Sequence, residues 1–226
     1  ADQARRLASY LKSLNLGEGA SVGLLGRNSA HWIIADVAIW MAGHVTVPLY
    51  PTLNGESAAY ILDHSDSKAI ILGKMDGIAD GWKDIEPHLP TLPMLSLPLS
   101  PRLDVPQYKD IIANTAPISD EDITLPHVDA MATIVYTSGS TGRPKGVMHS
   151  FGTMCSVANA LRDTYKVTRD ERMLSYLPLA HVAERAVVET ASLYFGYRVF
   201  FADGLETFQR DLQRAQPTIF FSVPRL

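Results

Sequence analysis

Cysteine and long apolar runs are nearly missing from this sequence. Cys155 is the one thiol among 226 residues, which excludes an internal disulfide and indicates a reducing compartment. The most apolar stretch, residues 32–43, is interrupted by Asp36 and is too short to cross a bilayer, so it predicts a buried helix. A formal net charge of -4 argues against nucleic acid as a partner.

Metal-ligand spacing is lacking as well. Six histidines show no spacing typical of metal ligands: His31, His44, His64, His88, His127 and His149. With a single cysteine, a structural zinc site is therefore not expected. Cys155 lies in a segment that predicts a helix, where a packed structural thiol is expected rather than a nucleophile. With 46% hydrophobic residues, the chain can bury a sizeable core as one large or two small domains. The informative residues are therefore glycines, hydroxyls and cations.

The first half of the chain alternates short β-rich runs with helical patterns. This alternation predicts parallel βαβ units, with strands at 21–25, 45–48 and 68–72 and helices at 29–42 and 56–63. Six prolines then interrupt residues 87–106, so that stretch predicts a connector with at most one short strand, at 94–97.

The second half continues the alternation after another connector at residues 120–126. The patterns predict strands at 131–136, 198–201 and 218–222, extended chain at 147–149, and helices at 151–163, 182–195 and 206–215. We therefore predict a doubly wound, mostly parallel α/β fold with flanking helices. It would be divided into two subdomain portions, residues 1–119 and 120–226.

Residues 136–147 form the most distinctive segment. Its glycines let backbone N–H groups converge on an anion, its hydroxyls add donors, and two cations supply positive charge. The segment is not a P-loop, because Pro144 stands where a P-loop has glycine. It also lacks the GxGxxG spacing of dinucleotide sites. It predicts a polyphosphate cradle, with a solvated turn as the alternative; the candidate ligands are Thr137, Ser138, Gly139, Ser140, Thr141, Gly142, Arg143 and Lys145.

This segment resembles the signature loop of the adenylate-forming superfamily, which includes acyl-CoA synthetases, luciferases and adenylation domains of peptide synthetases. In that family the loop holds the β- and γ-phosphates of ATP while a carboxylate attacks the α-phosphate, giving acyl-AMP and pyrophosphate. The resemblance implies ATP and Mg²⁺ as ligands and Lys145 as a catalytic cation. It also implies a hydroxyl near Mg²⁺, and the sequence does not choose between Ser140 and Thr141.

A second segment, residues 177–185, reads Leu-Pro-Leu-Ala-His-Val-Ala-Glu-Arg and resembles the motif that follows this loop in long-chain fatty acyl-CoA synthetases. His181 is expected at the start of an apolar helix, where its imidazole can reach into a pocket as a donor. A histidine bound to a core carbonyl is the alternative. The resemblance implies His181 as a catalytic residue and, with Val182, Ala183 and Ala186, as part of an acyl pocket.

Together the two segments imply an ATP-dependent long-chain fatty acid–CoA ligase that uses Mg²⁺ and CoA. Two alternatives are an adenylating enzyme for another acid or a carrier-protein thiol, and a non-catalytic nucleotide-binding module. Because the family's adenine, ribose and C-terminal lysine motifs do not occur here, we expect an N-terminal domain fragment that is inactive by itself. A cytoplasmic location is expected, while association with a membrane surface and the oligomeric state are left open.

Overall fold

The computed structural model describes residues 1–75, 79–123, 125–137 and 143–222. The chain folds as two compact units, Ala1–Phe151 and Gly152–Leu226. The sequence placed the division between residues 119 and 120. The structure places it after Phe151, because the strands that follow residue 120 join the sheet of the first unit.

The first unit is built on a six-stranded sheet. Its strands are β1 Ser21–Leu25, β2 Val45–Leu49, β3 Ser67–Leu72, β4 Met94–Ser96, β5 Met131–Thr137 and β6 Lys145–Ser150. They lie in the order β4-β3-β1-β2-β5-β6, and every pair is parallel except β5 with β6. The chain runs from β1 to β2 and then places β3 and β4 on the other side of β1, which is the doubly wound arrangement. The predicted fold class is confirmed.

Helices connect and cover these strands. They are α1 Asp2–Ser13, α2 Ala30–Met41, α3 Gly55–His64, α4 Ala79–Ile85 and α5 Tyr108–Asn114, with a 3₁₀ turn at Glu86–His88. The Ser29 hydroxyl caps α2 by accepting from the Trp32 N–H at 3.1 Å, and the Asn54 side chain caps α3 by accepting from the Ser57 N–H at 2.8 Å. The sequence did not predict α4 or α5, which have only seven residues each.

The core of the first unit explains why its strands read as apolar runs. All residues of β1 and β2 are buried, as expected for parallel strands covered on both faces. Trp32 on α2 is fully buried, which confirms the buried helix predicted there. Over the described ranges, no helix combines the length and apolarity that crossing a bilayer would need.

The second unit is smaller and more helical. It contains α6 Phe151–Tyr165, which begins at the unit boundary, β7 Arg172–Ser175, α7 Val182–Glu184, a π-helical stretch Arg185–Thr190, α8 Ala191–Phe195, β8 Arg198–Phe201 and α9 Phe208–Ala215. The strands β7 and β8 pair in parallel. The predicted helix over 182–195 is therefore present, but its middle is a π-helix, a feature that local periodicity does not reveal.

Two expectations for the second unit are wrong. Residues 218–222 form no strand, because the backbone N–H groups of Thr218 and Ile219 both turn to the single carbonyl of Arg172. Cys155 is exposed and not packed, since it lies beside Met154 on α6 and only the face with Met154 and Ala158 is buried. The strand β7 was not predicted.

A buried ion pair lies in the π-helical stretch. Arg185 and Glu189 are both fully buried, with 3.5 Å between Nη1 and Oε2. Their charges have been removed from water, which is costly unless each side chain keeps its partner. The pair therefore makes this stretch sensitive to single substitutions.

We expect Arg185→Met to lower the free energy of unfolding by roughly 3–5 kcal/mol, because the Glu189 carboxylate would stay buried without its cation. Replacing both residues, as Arg185→Met with Glu189→Leu, should recover most of that loss. Urea unfolding of the full-length protein measures both changes. A double variant as unstable as the single one would contradict this account.

Candidate functional site

The predicted phosphate loop connects the two strands of an antiparallel hairpin. In the register of β5 and β6, Tyr136 lies opposite Gly146 and Thr137 lies opposite Lys145. Residues directly opposite each other in such a pair have Cα atoms about 4.5–5.5 Å apart. The hydroxyl of Thr137 and the ammonium of Lys145 therefore belong to the same end of the hairpin.

Three of the predicted phosphate ligands are described, and all three are exposed at this end of the hairpin: Thr137, Arg143 and Lys145. Two cations and a hydroxyl that are open to solvent can bind a polyphosphate without burying uncompensated charge. The remaining candidates lie outside the described residues; they are Ser138, Gly139, Ser140, Thr141 and Gly142, and they include both hydroxyls predicted near Mg²⁺. Within the described ranges, no group of three or more His, Cys, Asp or Glu side chains is placed to hold a metal.

Helix α3 contributes side chains to the site that the sequence did not reveal. The Nδ1 atom of His64 is 2.7 Å from the Tyr136 hydroxyl, and the Tyr60 and His64 rings are 5.3 Å apart. The guanidinium carbon of Arg143 lies 5.8 Å from the centroid of the Tyr60 ring. The spacing of Tyr60 and His64, four residues apart on a helix, was the available signal that they share a face.

Gly146 has a packing role at the base of the hairpin. A Cβ atom there would lie 2.8 Å from Cγ2 of Ile134 and 3.1 Å from Cζ of Tyr136. A larger residue would therefore displace the Ile134 side chain and press against the Tyr136 ring. Gly146 therefore allows close packing within the hairpin that carries the cations.

His181 stands at the start of α7, as predicted. Its Nδ1 accepts from the backbone N–H of Ala183 at 3.2 Å, and the residue is exposed. Since Nδ1 is an acceptor, the neutral ring carries its proton on Nε2 and presents an N–H donor. This arrangement argues against the alternative of a core histidine bound to a carbonyl.

The predicted wall residues of the acyl pocket differ in burial. Ala186 is 5% exposed, while Val182 and Ala183 are half-buried. The second unit also has an apolar groove of about 590 Å³, and the residues that line it include Met173, Val187, Tyr197 and Phe220. None of the three predicted wall residues lines that groove.

Glu184, which follows His181 by three residues, is a buried acid that the sequence did not single out. It is 1% exposed, and its Oε1 accepts from the Ser175 hydroxyl at 2.7 Å and from the Tyr176 N–H at 3.1 Å. Burial raises the pKa of Glu184 to about 7, although these two hydrogen bonds oppose the shift. The carboxyl group thus links α7 to the carboxyl end of β7.

Comparison with known proteins identifies relatives along the whole chain. The family model of AMP-binding enzymes matches residues 1–226. The peroxisomal long chain acyl-CoA synthetase 6 of Arabidopsis thaliana is 32% identical over 97% of this chain and 32% of its own length. A long-chain-fatty-acid–CoA ligase of Homo sapiens is 30% identical over 100% of this chain and 35% of its own length. The chain spans about a third of the length of these relatives.

Solved structures share the fold. An anthranilate CoA ligase in complex with anthranoyl-AMP superimposes with a TM-score of 0.85 at 22% identity, over 98% of this chain and 43% of that one. ATP-bound MatB from Rhodopseudomonas palustris superimposes with a TM-score of 0.79 at 24% identity, over 99% of this chain and 43% of that one. At these identities the likeness establishes the fold alone.

The raised pKa of Glu184 predicts a specific pH dependence of stability. Because the folded pKa of about 7 exceeds the ordinary value of 4.5, the stabilisation is full below pH 4.5 and is lost as the pH rises through 7. Between pH 5 and pH 8 the loss should be roughly 2–3 kcal/mol. Glu184→Gln keeps the acceptor and should lack this component, as measured by urea unfolding of both proteins at the two pH values. Parallel pH profiles would contradict the assignment.

Proposed function

We propose that this chain, which belongs to the family of AMP-binding enzymes, forms part of an ATP-dependent ligase for long-chain fatty acids. The ligase would activate the acid as acyl-AMP with release of pyrophosphate and then form the CoA thioester. The single observation that carries the proposal is the hairpin end where Arg143 and Lys145 lie exposed beside Thr137. The names of the related ligases support a long-chain acid as the substrate.

The first half-reaction explains why cations are needed at the hairpin. The fatty acid carboxylate oxygen attacks the α-phosphorus of ATP, the bond from that phosphorus to the bridging oxygen breaks, and pyrophosphate leaves. Attacking and leaving groups both carry negative charge, so fixed cations and donors lower the barrier. In our proposal Arg143 and Lys145 hold the leaving phosphates, and the Thr137 hydroxyl donates to them.

Magnesium fits this site as an ion that arrives with the phosphates. Mg²⁺ prefers oxygen ligands and in such sites is held largely by substrate phosphates and water, so an exposed hairpin end with the Thr137 hydroxyl leaves room for the ion beside bound phosphates. Ser140 or Thr141 would contact it, following the resemblance. When bound, the ion neutralises phosphate charge.

His181 and its helix are proposed to bind the acid. The Nε2–H donor of His181 can hydrogen-bond a carboxylate oxygen, and Nδ1 is held by the Ala183 N–H. Val182, Ala183 and Ala186 are proposed as part of the wall that contacts the alkyl chain. No residue of this chain is assigned to CoA.

We also propose a cellular setting for the ligase. The single cysteine is consistent with a reducing compartment, so we place the ligase in the cytoplasm; because long-chain acids partition into membranes, it would meet its substrate at a membrane surface. Fatty acid, ATP and CoA are the proposed partners, and the acidic net charge of -4 supports the exclusion of nucleic acid.

Lys145→Ala in the full-length protein should reduce the rate of ATP–pyrophosphate exchange at saturating fatty acid at least about tenfold, equal to 1.4 kcal/mol in the barrier. The cause would be loss of a charge beside the leaving phosphates. Lys109→Ala is the matched control, because Lys109 is an exposed cation on α5 of the same unit. An unchanged exchange rate for Lys145→Ala would contradict the proposal that this loop binds the polyphosphate.

Substrate chain length gives an independent test. A buried CH₂ group contributes about 0.8 kcal/mol, so kcat/KM should rise from hexanoate to palmitate if a long apolar pocket is present. Ala183→Leu or Ala186→Leu should lower kcat/KM for palmitate first, with Ala160→Leu on the exposed face of α6 as the control. A preference for acetate or an aromatic acid would refute the long-chain assignment and leave adenylation intact.

A further inference from the structure

Both ends of the candidate phosphate loop are contacted by one face of α3. Tyr60 and His64 lie one helical turn apart, and their rings are tilted by 34° with centroids 5.3 Å apart. Neither residue belongs to the hairpin or to the motifs that predicted the site. Their position places an aromatic surface from a distant part of the chain beside the two strands.

His64 contacts the first strand of the hairpin. Its Nδ1 is 2.7 Å from the Tyr136 hydroxyl, and the two rings meet edge to face at 5.8 Å. Tyr136 is 4% exposed and directly precedes Thr137, so a fixed Tyr136 fixes the end of β5. Burial, followed by the nearby Tyr60, raises the pKa of Tyr136, against an opposing hydrogen bond from Ser65, so its hydroxyl keeps its proton at neutral pH.

Tyr60 contacts the returning side of the hairpin. The guanidinium carbon of Arg143 lies 5.8 Å from the centroid of its ring, within the range of a cation–π interaction. Arg143 is exposed and lies two residues before Lys145. Among the described residues, the Tyr60 ring is the contact that restrains its long side chain. A guanidinium held by a cation–π contact keeps its charge and its N–H donors available to a phosphate.

We propose that Tyr60 and His64 are positioning residues for ATP binding, with Tyr60 acting through Arg143 and His64 acting through Tyr136. The inference rests on the proposed function, because it concerns the same phosphate site. Tyr60 holds the Arg143 charge where the β- and γ-phosphates bind, and His64 holds the end of β5 that carries Thr137. The two residues reduce the conformational freedom that the hairpin end must lose when ATP binds.

The first experiment measures the Kd for ATP by calorimetry with Mg²⁺ and no fatty acid, in the full-length protein. Tyr60→Phe should bind within about twofold of wild type, because the ring remains. Tyr60→Leu, and replacement of Tyr60 by 3,4,5-trifluorophenylalanine, should raise the Kd about two- to fivefold, the range of an exposed cation–π contact. The fluorinated ring keeps the shape of the side chain, so the test stands even if Tyr60→Leu does not fold.

A double-mutant cycle separates positioning from general packing. In an Arg143→Met background, Tyr60→Leu should have no further effect on the Kd, because the residue through which it acts is gone. The same factor in both backgrounds would overturn the role of Tyr60. Tighter ATP binding by Tyr60→Leu would also overturn it, since Tyr60 would then be withholding Arg143 from the nucleotide.

A second pair of substitutions tests the role of His64. His64→Leu and Tyr136→Phe should each raise the Kd, and the two together should raise it no further than one alone. His64→Asn, which can still reach the Tyr136 hydroxyl, should restore part of the affinity. Additive effects of His64→Leu and Tyr136→Phe would overturn the linkage through that hydrogen bond.

Lys145→Ala distinguishes failure of this inference from failure of the proposed function. If Lys145→Ala weakens ATP binding while the Tyr60 and His64 variants bind as wild type does, the positioning role alone is refuted. If the wild-type protein does not bind ATP, the proposed function and the inference built on it both fail.

Discussion

The pairing of β5 with β2 and β6 is the constraint on which the rest of the site depends. Thr133 lies opposite Thr46 in the parallel pair and donates its hydroxyl proton to the Thr46 carbonyl at 2.8 Å. Trp40 on α2 donates to the Ala132 carbonyl at 2.9 Å. These contacts place β5 beside the first βαβ unit, so its last residues lie at the edge where the carboxyl ends of the parallel strands meet. The antiparallel return through β6 then brings Lys145 back to that edge.

An antiparallel edge suits the loop proposed to bind a polyphosphate. A parallel connection needs a long crossover, usually a helix, whereas an antiparallel pair can be closed by a short loop whose two ends stay adjacent. The hairpin keeps Thr137 and Lys145 opposite each other, and α3 supports it from one side through Tyr136. The cations Arg143 and Lys145 are exposed, while Tyr136, the aromatic residue that anchors the hairpin, is buried. Rigid support and an accessible charge are thereby supplied by different side chains.

The second unit depends on buried charge of a different kind. Glu184, Arg185 and Glu189 are all at most 1% exposed, although burial of ionisable groups is unfavourable unless they are hydrogen-bonded or paired. Glu184 meets this condition through Ser175 and the Tyr176 N–H at the end of β7. Because Glu184 lies in the first turn after His181, its polar contacts hold the start of the helix on which His181 lies. The motif that indicated an acyl-CoA synthetase thus also contains residues needed to build its own local structure.

The sequence by itself determined the parallel βαβ units, the glycine- and hydroxyl-rich loop and the position of His181 at a helix start, since each depends on neighbouring residues or on local periodicity. Only the tertiary structure decided that β5 and β6 pair antiparallel, that His64 meets Tyr136 across 72 positions of sequence, and that residues 185–190 are π-helical. It also placed residues 218–222 outside any strand and left Cys155 exposed. The tertiary structure also decided the raised pKa of Glu184, because the folded chain supplies both the burial and the hydrogen-bond partners of its carboxyl group. A local pattern specifies which face of an element is apolar, whereas the partner that covers that face comes from residues far away in the sequence.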